Sequence, residues 1–170
     1  HKSFTAEGAK AAAIHLFTPA GFDGLKDDPF PGARALAKGQ GFTGAAGQVV
    51  YQAGEDGKLS HVLAGIGKGQ DALAVAAISA KLPEGAYAIA GDGGMAFAHI
   101  AAGWADGAYR FDRYLKDKAK PPLLVMPANA DADALSREAD ACALLRDLVN
   151  TPAADMGPQD VEAAIADMAD

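Results

Sequence analysis

Along residues 131–150, Leu135, Ala139, Cys142, Leu145 and Leu148 recur at three- and four-residue steps, while Arg137, Glu138, Asp140 and Asp147 fall mostly between them. This pattern predicts an amphipathic helix with one buried stripe that includes Cys142. A longer run of the same period, Phe97, Ile100, Trp104, Ala108, Phe111 and Leu115, predicts a single helix over about residues 95–115. Gly103 and Gly107 lie one turn apart on it, a spacing that admits a close neighbour at a propensity cost of up to about 1 kcal/mol each. Shorter helical patterns cover 33–40 and the segment after Asp71, a good N-cap, with Val75, Ile78 and Leu82 on one side. Short apolar runs predict strands at 11–18, 48–52, 60–64, 85–90 and 123–126.

Gly and Pro separate these elements. Residues 21–32 read as a loop. The linker 53–59 between two strand patterns contains Asp56-Gly57, a hairpin signal that makes the sheet mixed instead of purely parallel. Strands alternating with helices then predict an α/β fold, a three-layer α/β/α domain with a mixed sheet. Pro152 ends the helical path after Asn150, and Pro158 suits the first position of a new helix. The division expected is 1–10 disordered or tag-derived, 11–150 one α/β domain, and 151–170 a linker and the start of a helix. His1 in place of Met reads as a tag remnant, and the sequence stops at Asp170 within a helical pattern.

Composition narrows the function classes. Half of the 170 residues are hydrophobic and 7% aromatic, which predicts a core of Ala, Leu, Val and Ile. A formal net charge of -7 disfavours nonspecific binding to nucleic acid or to acidic membranes. The single cysteine cannot form an internal disulfide, and no apolar run approaches 18 residues, so the expected setting is soluble and cytoplasmic.

Few residues stand in catalytic patterns. Gly65, Gly67, Lys68 and Gly69, between a strand and a helix, and Gly91, Asp92, Gly93 and Gly94, after another strand, are possible ligand loops; the alternative is tight turns that need positive φ. His15, His61 and His99 have no metal-ligand spacing, and the serines lack a nucleophile elbow. No catalytic or metal residue is assigned. Tyr109, Arg110, Phe111, Asp112, Arg113 and Tyr114 combine aromatics with two guanidinium groups, so Tyr109, Arg110, Arg113 and Tyr114 are a possible interface. The competing expectation puts Phe111 in the core and pairs Arg110 and Arg113 with Asp106, Asp112 or Asp117.

The segment Leu148-Val149-Asn150-Thr151-Pro152-Ala153-Ala154-Asp155-Met156-Gly157-Pro158 resembles the junction between the N-terminal and catalytic domains of the leucyl (cytosol) aminopeptidases, dinuclear-metal exopeptidases, although Asn is commoner where Ala154 stands. Further matches follow in family order: Gly41-Phe42-Thr43-Gly44, Gly47-Gln48-Val49, Val62-Leu63-Ala64-Gly65-Ile66-Gly67 and residues 107–114. The resemblance implies a macro-domain-like fold and a parent enzyme that removes N-terminal amino acids with two divalent ions, zinc or manganese. Its catalytic motifs, Asp-Thr-Gly-Gly and Asn-Thr-Asp-Ala-Glu-Gly-Arg, do not occur here, so the implied role is that of the non-catalytic N-terminal domain. The implied partners are its own catalytic domain and the neighbouring subunits of a hexamer. A macro-like module for a nucleotide or ADP-ribose is the alternative.

Overall fold

The computed structural model of the protein describes residues 2–8, 10–69 and 71–169. His1 and Asp170, whose readings are given above, lie outside them. The strands are β1 (Phe4–Thr5), β2 (Ala12–Phe17), β3 (Val49–Ala53), β4 (Leu59–Gly65), β5 (Gly85–Gly91) and β6 (Pro122–Val125). The helices are α1 (Pro19–Asp23), α2 (Ala33–Gly39), α3 (Ala72–Ser79), α4 (Phe97–Ala108), α5 (Ala132–Asn150) and α6 (Pro158–Ala169). The sheet has the order β1-β6-β5-β2-β4-β3, with every pair parallel except the β3/β4 hairpin.

Alternation along the strands divides the core in two. Ala12, Ile14 and Leu16 of β2, with Val62 and Ala64 of β4, bury one face against Val75 and Ile78 of α3 and Ile100 and Trp104 of α4. On the other face Leu63 and Val50 meet Phe22, Phe30, Ala33, Ala37 and Phe42 from the α1–α2 region. Helices therefore lie on both faces of a mixed sheet.

Gly103 and Gly107 bring α3 and α4 together: a Cβ at Gly103 would overlap Ala72 O, and one at Gly107 would overlap Ala76 O and Ser79 Oγ. The buried Ser79 hydroxyl is within reach of Ala76 O at 3.2 Å and Trp104 O at 3.1 Å. Trp104 Nε1 donates to Pro122 O at 3.0 Å and so ties α4 to β6.

Four expectations are corrected. Residues 3–5 are ordered into the sheet, because Leu124 N donates to Ser3 O at 2.8 Å and Met126 N to Thr5 O at 2.9 Å. Part of the loop 21–32 is helical: Thr18 Oγ1 accepts from Gly21 N at 3.0 Å and Pro19 opens α1. The helix expected to reach residue 115 stops at Ala108, where Tyr109 turns to φ -58, ψ 137, and Leu115 is exposed. On α5, Ala139 alone is buried, and Cys142 lies exposed together with Leu145 and Val149. The period of α5 identified an apolar stripe, but the body of the domain covers only one edge of it.

Candidate functional site

Because β2, β4 and β5 are parallel, their carboxyl ends share one edge of the sheet, where α/β folds usually hold ligands. The structure brings the two glycine loops together there. The residues 44–47 join them, for Gly47 N donates to Gly65 O at 2.9 Å and Gly67 N to Gly44 O at 3.0 Å. Gly67, Gly69, Gly93 and Gly94 have φ between 61 and 82, a region that disfavours side chains. A Cβ on Gly65 would overlap Ala45 O, and one on Gly93 would meet Ile66 Cδ1 at 2.8 Å and Leu16 O at 2.9 Å. At Gly65 and Gly93 the chain itself therefore occupies the space beside the backbone, whereas Gly94 has nothing within 4 Å of a built Cβ.

The charges at this edge agree with that packing. Asp71 caps α3, its carboxylate accepting from Leu73 N at 2.9 Å, so negative charge already sits at that helix N-terminus. Asp92 accepts from Gly94 N at 2.8 Å in its own turn, while Lys68 is exposed beside the tight backbone.

A second cluster joins residues far apart in sequence. His15 of β2 and His61 of β4 lie on one sheet face with ring nitrogens 3.4 Å apart, and Phe30 sits 4.5 Å from the His61 ring. Burial pushes His15 below its ordinary value, and His61 adds to the effect. Two imidazoles fall short of a metal centre, which takes at least three protein ligands. Among the described residues no group of three or more His, Cys, Asp or Glu could hold a metal ion. Strand register, which residue spacing does not reveal, makes this pair.

The aromatic–arginine segment turns onto its own chain. Tyr109 OH donates to Asp147 Oδ1 at 2.6 Å and Tyr114 OH to Asp155 Oδ2 at 2.6 Å. Burial, then the bond to Asp147, raises the Tyr109 pKa, whereas for Tyr114 the bond to Asp155 is the main cause. Arg113 reaches Thr151 Oγ1 at 3.3 Å, and Arg110 donates to the carbonyls of Gly107 and Tyr109 at 2.9 and 2.8 Å. The expected arginine pairings are replaced: Asp106 binds Arg146, Asp112 binds Lys118 at 3.4 Å, and Phe111 is half-buried. The clue that reading by spacing missed is the set of acceptors, Asp147 near the end of α5 and Thr151 and Asp155 in the connector after it.

Helices packed on both faces of a mixed six-stranded sheet define a three-layer α/β domain. The chain belongs to the M17 aminopeptidase family, whose N-terminal-domain model matches residues 12–127. Cytosol aminopeptidase from Coxiella burnetii is similar in structure, with TM-score 0.78, 25% identity, and coverage of 98% of this chain and 37% of that one. Bottromycin maturation enzyme BotP in complex with Mn has TM-score 0.65 and 24% identity over 95% of this chain and 36% of its own. A tomato leucine aminopeptidase mutant has TM-score 0.63 and 19% identity over 93% of this chain and 39% of its own; these two likenesses concern the fold alone. The chain therefore spans between 36% and 39% of these structures. No curated protein matches it. Among the described residues no helix is long and apolar enough to cross a membrane.

Proposed function

We propose that this chain serves its parent aminopeptidase as a non-catalytic domain that supports assembly and shapes access to an active site held elsewhere. The observation that carries this reading is coverage: nearly all of the chain, 98%, aligns with 37% of a cytosol aminopeptidase. The described residues hold no cluster of three or more His, Cys, Asp or Glu from which a dinuclear metal centre could be built. Two divalent ions, zinc or manganese, and the hydrolytic carboxylates and lysines belong to the catalytic domain in this reading. Residues 151–170 act as the linker toward it, and the setting is the cytoplasm.

Exposed apolar side chains supply the contact surface. Leu145 and Val149 of α5, and Val161 and Ile165 of α6, are 63%, 77%, 36% and 56% exposed, a pattern suited to packing on a catalytic domain or on neighbouring subunits of a hexamer. The test is a leucine-amide assay with added manganese or zinc. The chain alone is expected to release no leucine and the two-domain parent to release it; release by the chain alone refutes the proposal. The alternative, a nucleotide or ADP-ribose module, is weakened by the mutual packing of the glycine loops, and calorimetry with ADP-ribose is expected to give no heat.

A further inference from the structure

Polar side chains from three segments converge where the chain leaves α5. Thr151, buried, donates Oγ1 to Asp147 O at 2.7 Å and accepts from Arg113 Nη1 at 3.3 Å. Tyr114 OH donates to Asp155 at 2.6 Å, three residues beyond Pro152. Tyr109 OH donates to Asp147 at 2.6 Å and accepts from Asn150 Nδ2 at 3.2 Å, while the Arg146 guanidinium lies 3.9 Å over the Tyr109 ring and pairs with Asp106. The cross-links from residues 106–114 to this region join positions 38 to 41 apart in sequence.

We propose that residues 109–114 form a clasp that fixes the direction in which the connector 151–157 leaves the domain, and with it the pose of the catalytic domain. The proposal rests on the reading above and adds the residues that would hold the angle between the two parts. Apolar packing constrains that angle only weakly, because Ala139 is the one fully buried residue of α5, Leu144, Leu148 and Met156 are half-buried, and the connector exposes Pro152, Ala153, Ala154 and Asp155. Directional bonds can fix it. A single exposed bond of this kind contributes little. Here several close on one short segment that Pro152 already stiffens, so once one bond forms the others close within a small volume. The bond Thr151 N to Asp147 O and the turn bond Asp155 N to Pro152 O, both 2.9 Å, provide amides that report whether the connector is held.

The test is amide exchange at Thr151 and Asp155 in this chain. With Tyr109→Phe and Tyr114→Phe combined, both amides are expected to exchange about tenfold faster while Ile14 and Val62 in the sheet are unchanged. A double-mutant cycle with Tyr114→Phe and Asp155→Ala should be non-additive, each removing the same bond. Equal exchange in the unaltered chain and the Tyr variants overturns the clasp. Should the paired Tyr substitutions also loosen the sheet, Asp155→Ala, confined to the exposed connector, decides between the same two outcomes. In the two-domain parent, Tyr114→Phe is expected to lower kcat several-fold with little change in KM. Unchanged turnover despite a loosened connector overturns the effect on pose. A parent without aminopeptidase activity instead refutes the functional reading and leaves the clasp standing.

Discussion

His15 shows how much the surroundings of one side chain decide. It is a base whose pKa, lowered mainly by burial and further by His61, falls below the ordinary 6.5. As pH drops through 6.5 the unfolded chain takes up this proton first, so in that window it binds more protons than the folded chain and acid favours unfolding. The contribution is whole above pH 6.5 and shrinks below it. Urea midpoints measured at pH 7 and pH 5 should therefore fall in the unaltered chain and fall less in His15→Gln; an equal fall would assign the acid effect to other groups. Cys142 gives a second check at this scale, since the exposed thiol should react with a thiol reagent in the native chain without denaturant. Its apolar spacing was legible; which part of the α5 stripe the domain covers was not, because that depends on where α4 ends.

Among the elements, α3 and α4 make the tightest contact, and the two glycines that permit it were recognisable from their spacing. Two energies oppose each other at Gly107. Alanine improves helix propensity by about 1 kcal/mol, but its Cβ would overlap Ala76 O and Ser79 Oγ, and overpacking typically costs about 1–3 kcal/mol or more. Backbone cannot move aside as a flexible side chain can, so the clash should win. Gly107→Ala is expected to destabilise the chain by a net of up to about 2 kcal/mol, or more where the backbone cannot yield, read as a lower thermal midpoint; an unchanged or higher midpoint would mean that the helices can part at small cost. The end of α4 was hidden from periodicity. Phe111 and Leu115 continue the three- and four-residue stepping, yet the chain turns at Tyr109, where that side chain bonds to Asp147 and Arg110 holds the last carbonyls.

Across the whole molecule, the hairpin, the parallel strands after it and the helices on both faces followed from residue pattern and turn chemistry. The family was legible in an ordered set of short motifs. The third partner of the glycine loops, residues 44–47, and the His15–His61 pair depend on strand order and register, which no local window contains. The exposed apolar residues Leu145 and Val149 contribute little to this domain's own fold, so Leu145→Glu with Val149→Glu should change its stability by no more than about 0.5 kcal/mol per site. The same pair should impair assembly of the two-domain parent, seen as a smaller species in size-exclusion chromatography. A large loss of stability in the domain alone would show that the residues serve its fold instead.

The two-residue strand β1 has a practical consequence for anyone trimming this protein. Ser3 and Thr5 occupy the backbone donors of Leu124 and Met126, and so shield the outer rim of β6. Cutting away the first five residues as dispensable would bare a ribbon of unpaired amides beside Leu123 and Val125, an invitation for copies to stack rim to rim and precipitate.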